Sequence, residues 1–600
     1  MTDPAAIIRA LLDLTVWTVH DVDEAGRVLA GNDASGSQQL VEIAPDGTRT
    51  PLTALPGSCS GRYVPGARRV VVQHDTGGDE RAQLSLLDLG ATALPAGLVD
   101  LAPLVHDPAF MHHVGDITAT SLVYDTNRRN GVDFDVVVRS WVDGSEQVVW
   151  DAGAYVVRTS LSHDERSVVA VVLTLQPNAT ALGLARDGAT SFLTPDDEAA
   201  LHHHATFTAD DTAVVLTSNR DREHAAVVRL GLADGSWEVL VEDDAHDVLL
   251  WAAPDGSALV VGTLDDGAVR LAIHEPDGAF RCRVEVPDDG LADVVWARDA
   301  AHLVVTTSRP TDPGSLHLVD AATGAARLLV DATEDVPDDL RDGLVTPTLH
   351  RVPTPDGEEV PLFRYPPAPG SDPALAGASV VVIHGGPESA AYRSFGAMTQ
   401  VLCSLGLTVL VPNVRGSTGY GKRWYALDDV ELRLDSVADL AAVHAWLPEQ
   451  GLAPERSALW GGSYGGYMVL AGLTMQPDLW AAGVDIVGIS SLVTFLENTS
   501  DYRRAYRERE YGSLAEHRDF LESASPLTHL AALRAPLFVI HGANDPRVPL
   551  SEAEQIKAAL DERGIRCDLR VYADEGHGLA KRPNRVDAYT GAVGFLLDVL

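Results

Sequence analysis

The distribution of apolar residues divides the chain into two regions with different periods. From about residue 15 to residue 340, short β-branched runs alternate with polar turns that are rich in Asp and Gly. This alternation is typical of short strands joined by tight turns. The pattern therefore predicts that the first region is built from β-strands alone.

One β-branched run recurs through this region at a near-constant interval. The later copies are separated by roughly 44 to 50 residues, which leaves room for four short strands in each unit. The copies are residues 16–18, 70–72, 121–123, 168–170, 214–216, 259–261 and 303–305. A series of unrelated hairpins could produce a similar pattern, but the spacing favours radial closure. We predict a seven-bladed β-propeller over residues 1–345.

After a loop at residues 353–357, buried apolar strands alternate with amphipathic helices. The predicted strands are residues 379–383, 408–411, 457–460, 535–540 and 568–572, and clear helical patterns cover residues 436–446 and 551–561. This alternation predicts a doubly wound, mostly parallel sheet with helices on both faces. We assign it to a second domain, residues 346–600.

Length, charge and cysteine spacing narrow the class of protein. A chain of 600 residues exceeds what one hydrophobic core usually supports, which agrees with two domains. The net charge of −41 argues against a nucleic-acid partner, because such proteins need a basic surface. The four cysteines form no C-x-x-C pair, and adjacent histidines such as His112 and His113 point to opposite faces of a strand, so we expect no metal site.

The N-terminus and the hydropathy pattern bear on location. The first residues lack a basic opening followed by an apolar run and a cleavage site, so they do not resemble a secretory signal. No stretch reaches the roughly 18 uninterrupted apolar residues of a membrane span. We expect a cytoplasmic protein with no membrane partner.

A candidate nucleophile lies in the second domain. The segment around Ser463 matches G-x-S-x-G, and it lies between a predicted strand and a predicted helix. Gly461 and Gly465 remove side chains where a sharp turn brings backbones together, which exposes the Ser463 hydroxyl. This context predicts the nucleophile turn of an α/β-hydrolase fold.

A serine hydroxyl needs a base, and the base needs a carboxylate to orient it. Asp545 and His577 each follow a predicted strand, in the order Ser, acid, His that this fold uses. His541 precedes the acid and so breaks the order, while Asp574 and Glu575 lie too close to His577 in sequence to be obvious partners. We predict a catalytic triad of Ser463, Asp545 and His577, with no cofactor.

The oxyanion requires two hydrogen-bond donors. One is the backbone N–H of Tyr464, directly after the nucleophile. The second candidate is the N–H of Gly386, in a glycine-rich loop that follows the strand ending at Ile383. A plain tight turn is the alternative interpretation of this loop.

Taken together, these motifs resemble the prolyl oligopeptidase family, and most closely its acylaminoacyl-peptidase branch. The resemblance covers roughly residues 350–600 and depends on the segments at residues 384–387, 412–421, 461–467, 544–545 and 576–577. It implies a peptidase whose propeller covers the hydrolase domain and admits only short peptides. Subunit number is open, and a homo-oligomer is possible within this family.

The resemblance also implies roles for residues near the triad. Arg547 resembles the arginine that holds a substrate carbonyl, although a surface salt bridge is the alternative. The specificity pocket would be lined by Leu492, Phe495, Tyr502 and Tyr506, unless these side chains are ordinary core. No glutamate pair of the kind that anchors a free amino terminus in dipeptidyl peptidases is evident.

Three alternatives therefore stay open. One is an esterase or amidase that acts on small non-peptide substrates, since the same triad serves both reactions. A second is dipeptidyl-peptidase-like cleavage, and a third is an inactive scaffold.

Residues 5–14 are expected to form a short amphipathic helix, which the resemblance places against the hydrolase domain.

Overall fold

The computed structural model describes residues 4–600 and consists of two kinds of sheet. Seven four-stranded antiparallel sheets come first in the sequence, and a single eight-stranded sheet follows them. This arrangement confirms the predicted architecture, a seven-bladed β-propeller followed by an α/β-hydrolase domain.

The propeller region begins with helix α1 (Pro4–Leu12), and each blade then uses four consecutive strands. Blades 1 to 4 contain β1 (Trp17–Val22), β2 (Val28–Asn32), β3 (Gln39–Ile43), β4 (Arg49–Pro51); β5 (Cys59–Tyr63), β6 (Arg69–His74), β7 (Gln83–Asp88), β8 (Ala102–Val105); β9 (His112–Ile117), β10 (Ser121–Thr126), β11 (Asp135–Ser140), β12 (Glu146–Trp150); and β13 (Val156–Leu161), β14 (Ser167–Leu173), β15 (Thr180–Arg186), β16 (Ala189–Phe192).

Blades 5 to 7 repeat the same order. They contain β17 (His202–Phe207), β18 (Ala213–Ser218), β19 (Ala226–Gly231), β20 (Trp237–Val241); β21 (Asp247–Ala252), β22 (Leu259–Asp265), β23 (Ala268–His274), β24 (Phe280–Arg283); and β25 (Leu291–Trp296), β26 (His302–Arg309), β27 (Asp312–Asp320), β28 (Ala326–Val330). Strand β1 contacts β25 and β26, so the last blade meets the first and the ring closes.

The recurring β-branched run marks the second strand of a blade in six of its seven predicted copies. The exception is the copy at residues 16–18, which overlaps the first strand of blade 1. The second strand of that blade is β2, where Gly31 interrupts the run. The first unit was therefore placed one strand too early.

The hydrolase domain follows short helix α2 (Asp338–Arg341). Its elements are β29 (Thr348–Pro353), β30 (Glu359–Tyr365), β31 (Ser379–Ile383), α3 (Ala397–Leu405), β32 (Thr408–Pro412), α4 (Gly421–Tyr425), α5 (Arg433–Trp446), β33 (Ser457–Gly462), α6 (Tyr464–Met475), β34 (Ala482–Ile486), α7 (Leu492–Asn498), α8 (Asp501–Tyr511), α9 (Arg518–Ser523), β35 (Leu537–Gly542), α10 (Ser551–Glu562), β36 (Cys567–Tyr572) and α11 (Arg582–Val599).

The eight strands have the order β29-β30-β32-β31-β33-β34-β35-β36, and every pair from β32 onward is parallel. Large apolar clusters lie on the two faces of this sheet, as a parallel sheet requires. Strand β33 lies near the middle of the sheet and is parallel to both of its neighbours. The loop that follows it therefore lies at the carboxyl edge of the sheet.

Helix α1 packs on the hydrolase domain. Ile7, Ile8 and Leu11 are buried in the same cluster as residues of α3 and α11. No helix within residues 4–600 combines the length and the apolar composition that a membrane crossing needs.

Candidate active site

Ser463 occupies a strained turn between β33 and α6. Its φ of 57° and ψ of −117° are unusual for a residue with a side chain. A Cβ on Gly461 would overlap the carbonyl of Gly465, and a Cβ on Gly465 would overlap the carbonyl of Ile383. Only glycine fits at both positions, so the turn that exposes the serine depends on them.

The three predicted triad side chains form one hydrogen-bonded row. Nε2 of His577 lies 2.9 Å from Oγ of Ser463, and Nδ1 of His577 lies 2.7 Å from Oδ2 of Asp545. Because the carboxylate accepts the proton on Nδ1, Nε2 is left as the acceptor for the serine hydroxyl. The row has the geometry of a nucleophile with its base and orienting acid.

Backbone groups hold the carboxylate of Asp545 in place. Its Oδ1 accepts the N–H of Arg547 at 2.8 Å and the N–H of Val548 at 3.0 Å, which leaves Oδ2 for His577. His541 is 3.9 Å from Oδ2 and its Nε2 lies 3.0 Å from the carbonyl of Val548. Burial lowers the pKa of His541, so this histidine is neutral and outside the row.

The loop at residues 384–387 lies against the nucleophile. A Cβ on Gly385 would be 3.6 Å from the Cβ of Ser463, and His384 is fixed by a 2.8 Å hydrogen bond to Ser417. Gly386 has a φ of +132° that favours glycine. The loop is placed to approach a developing oxyanion, and the donor role of the Gly386 N–H stays a prediction.

Tyr464 begins helix α6, so its backbone N–H is among those that the helix leaves unpaired. Its side chain is buried, with the hydroxyl 2.8 Å from Oγ of Ser436 and the ring 5.1 Å from the guanidinium of Arg433. The first turn of α6 is thereby held rigid, with its positive end next to Ser463.

A buried ionic network lies next to the loop at residues 384–387, which we call the oxyanion loop after its predicted role. Glu388, next to the loop, pairs with Arg507 at 2.9 Å and with Arg509 at 3.4 Å. Burial opposes ionisation of Glu388, but the charges of the two arginines outweigh it and lower its pKa. Arg509 also donates to two propeller carbonyls, those of Thr174 at 2.7 Å and Ala179 at 3.1 Å. One arginine therefore ties the propeller to the oxyanion loop.

The predicted substrate-pocket residues separate into two groups. Leu492 and Phe495 belong to the apolar stripe of α7 and are buried in the hydrolase core. Tyr502 packs among propeller side chains, and the hydroxyl of Tyr506 accepts the backbone N–H of Tyr155 at 2.8 Å. The structure therefore does not bring the four together as one surface.

A propeller loop reaches the triad, and the sequence analysis did not identify it. Nε of Arg547 donates to Glu80 at 2.6 Å, and Asn544 donates to the carbonyl of Gly77 at 2.9 Å. A Cβ on Gly78 would lie 2.5 Å from the backbone nitrogen of Gly576, beside His577. These contacts join residues more than 450 positions apart, so no local sequence signal could have indicated them.

Residues 393–600 match the model of the Prolyl oligopeptidase family. The chain is 29% identical over 416 residues to dipeptidyl aminopeptidase BIII of Pseudoxanthomonas mexicana, covering 66% of this chain and 59% of that protein. It is 30% identical over 217 residues to an acylamino-acid-releasing enzyme of Arabidopsis thaliana, covering 33% of this chain and 27% of the relative. The chain thus spans less than two thirds of the length of these relatives.

Among solved structures, the fold is similar to that of a puromycin-hydrolyzing peptidase of Mycobacterium tuberculosis. The TM-score is 0.85 with 22% sequence identity, over 100% of this chain and 96% of the other. Similarity at this level of identity concerns the fold, and it includes both domains.

Proposed function

We propose that the chain is a serine peptidase of the prolyl oligopeptidase family, whose model residues 393–600 match, and that it hydrolyses short peptides through an acyl-enzyme. The observation that carries the proposal is the hydrogen-bonded row of Ser463, His577 and Asp545 at the carboxyl edge of the sheet. A hydroxyl, an imidazole and a carboxylate in this order supply the nucleophile, the general base and the orienting acid of acyl transfer.

In the proposed reaction, Oγ of Ser463 attacks the peptide carbonyl while Nε2 of His577 takes its proton. Asp545 holds Nδ1 and stabilises the imidazolium that forms. The N–H groups of Tyr464 and Gly386 are proposed to receive the oxyanion. His577 then gives its proton to the leaving amine, and water hydrolyses the acyl-enzyme by the reverse sequence.

The restriction to short peptides is supported by how closely the propeller covers the site. The loop around Gly78 contacts the loop that carries His577, and Arg509 fixes a second part of the propeller next to the oxyanion loop. We infer that these contacts exclude folded proteins from Ser463 and admit an extended peptide, which occupies little cross-section. Arg547 is proposed to hold a substrate carbonyl beside the scissile residue.

Two requirements for the substrate amino terminus are compatible with this site. A requirement for a blocked amino terminus, as in acylaminoacyl peptidases, is supported by the motifs of the hydrolase domain. A requirement for a free amino terminus is favoured by Glu80, a propeller carboxylate 2.6 Å from Arg547 that could pair with an α-ammonium group. The dipeptidyl aminopeptidase relative points in the same direction.

The test compares kcat/KM for acetylated and free-amine peptide anilides and for short-chain esters. We expect peptide anilides to be cleaved efficiently, whereas a strong preference for esters would contradict the peptidase proposal. Glu80→Gln should lower kcat/KM for free-amine substrates selectively if Glu80 binds the amine. An equal loss on acetylated substrates would assign Glu80 to the support of Arg547 instead.

A further inference from the structure

The innermost strands of the propeller define an axial channel. Strand β1 contacts β5 and β25, and β9, β13, β17, β21 and β25 contact one another in succession. Only the first strand of each blade can meet its counterparts in this way, so these strands surround the axis. These strands carry both buried and accessible side chains, and bulges interrupt the strict alternation in β1, β9, β13 and β17.

We call the channel ring a set of seven polar or aromatic side chains that are not fully buried, one from the first strand of each blade. The residues on both sides of His20, Arg62 and Asp293 are buried, whereas each of the other four ring residues has one buried neighbour. The ring consists of His20, Arg62, Asp116, Arg158, His204, Trp251 and Asp293, on β1, β5, β9, β13, β17, β21 and β25. Ring contacts include His204 with Trp251 at 6.3 Å between centroids, and Trp251 Nε1 donating to Asp293 at 3.1 Å.

Arg62 and Arg158 lie on the innermost strands of blades 2 and 4. Desolvation inside the channel lowers the pKa of Arg158, and the charge of Arg62 lowers it further, while Asp116 and Asp293 oppose the shift. Arg158 belongs to blade 4, whereas Arg62 and Asp293 belong to blades 2 and 7. The charges that shift this pKa thus come from blades that are not adjacent to blade 4, which agrees with side chains that share the space around the axis.

The histidines of the ring are neutral near pH 7. Burial and the charge of Arg62 lower the pKa of His20 to about 4, and burial and the charge of Arg158 lower that of His204 to about 3. The fixed charges of the ring are therefore two guanidiniums and two carboxylates.

The carboxylates of the channel ring have hydrogen-bond partners, whereas its guanidinium groups have none within residues 4–600. Asp116 accepts the N–H of Ile117 at 2.8 Å and of Leu161 at 2.9 Å, and Asp293 accepts from the indole of Trp251. Within residues 4–600, neither Arg62 nor Arg158 has a hydrogen bond or an ion pair from its guanidinium, and neither side chain is buried. The chain has 86 acidic and 45 basic residues, so this is not a shortage of carboxylates.

We propose that Arg62 and Arg158 form a carboxylate-binding site in the propeller channel. Guanidinium groups recognise carboxylates through paired charge-assisted hydrogen bonds, and here these donors are unused. That the carboxylate is carried by a short peptide rests on the function proposed above. It is either the C-terminal α-carboxylate or an Asp or Glu side chain.

The site lies within reach of a peptide at the domain interface. Tyr155, whose N–H meets Tyr506 of the hydrolase domain, directly precedes β13. Arg158 lies three residues farther along the strand, which is about 10 Å deeper into the propeller. An extended peptide spans that depth with about three residues, so the ring would engage the end of the peptide remote from the scissile bond.

The test uses calorimetric binding to full-length Ser463→Ala protein, so that no turnover occurs. One peptide pair differs only in ending with a carboxylate or a carboxamide, and a second, amide-ended pair contains an internal Glu or Gln. We expect the carboxylate member of at least one pair to bind about tenfold more tightly at low salt, and the difference to shrink at high salt. Which pair responds identifies the source of the carboxylate.

Adding Arg62→Gln and Arg158→Gln should abolish the difference. Arg166→Gln combined with Arg186→Gln is the matched control, because it also removes two charges, both from exposed positions in blade 4. Equal binding within both pairs, or a difference that survives in the double variant, would overturn the proposal. If the wild type cleaves no peptide but the carboxylate preference is present, the proposed function fails and the binding site stands.

Discussion

Replacing Gly78 by alanine tests whether the propeller helps to position the catalytic histidine. The added Cβ would lie 2.5 Å from the nitrogen of Gly576, and restoring an ordinary contact of 3.4 Å requires a shift of about 0.9 Å. The propeller loop is held on either side of Gly78, through Gly77 and Glu80. The displacement must therefore be taken up largely by the loop that carries His577.

A shift of that size would break the row. The 2.9 Å separation between His577 and Ser463 would rise to about 3.8 Å, beyond a useful hydrogen bond. Misplacement by about 1 Å commonly costs about 100-fold in rate, so we expect kcat/KM on a peptide anilide to fall by about that factor.

Gly66→Ala is the matched control for this experiment. Gly66 has a φ of +69°, close to the +81° of Gly78, but a Cβ there meets nothing within 4 Å. Both variants carry the cost of a left-handed alanine, roughly 1 to 2 kcal/mol, and only Gly78→Ala disturbs the triad. Equal kcat/KM values for the two variants would refute the idea that the propeller loop sets the position of His577.

Three further variants test other parts of the account. Asp545→Asn should lower kcat by about 10⁴-fold without unfolding the protein, because the Nδ1 proton of the imidazole loses its charged acceptor. A loss of less than tenfold, measured by steady-state kinetics, would contradict this expectation. Arg509→Gln should lower the free energy of unfolding, measured in urea, by about 3 kcal/mol, because Glu388 loses a buried partner and two propeller carbonyls lose their donor. A change of less than about 0.5 kcal/mol would show that Arg509 does not stabilise the contact between the two domains. Ile8→Ala should lower the free energy of unfolding by about 2 to 4 kcal/mol, since it leaves a cavity beneath α1. The control Arg9→Ala replaces an exposed side chain and should change this free energy little. Equal effects of the two variants would show that docking of α1 is energetically unimportant.

Features that depend on short stretches of sequence could be predicted well. Strand β31 coincides with the predicted residues 379–383, because an unbroken β-branched run is a strong local signal. The turn around Ser463 could be found because its glycines are required by contacts within the motif and the adjacent strand. The Ser, acid, His order likewise follows from the topology of the fold.

Features that depend on distant contacts could not be predicted. Strand β34 was missed because Gly483 and Asp485 interrupt its five residues, and only its central place in the sheet makes it a strand. The contact of Glu80 with Arg547 and the contact of Gly78 with Gly576 arise from docking of the propeller on the hydrolase domain. Neither the propeller loop nor the hydrolase loops carry a local sequence signal for these contacts.

The central claim is that Ser463 is the single activated serine of this chain. The most direct measurement is labelling of the native full-length protein with a fluorophosphonate probe, followed by mass-spectrometric identification of the modified peptide. We expect modification of Ser463 alone, with labelling strongly slowed in His577→Ala and peptide hydrolysis lost in proportion to labelling. Modification of another serine, or hydrolysis that persists when Ser463 is fully labelled, would contradict it.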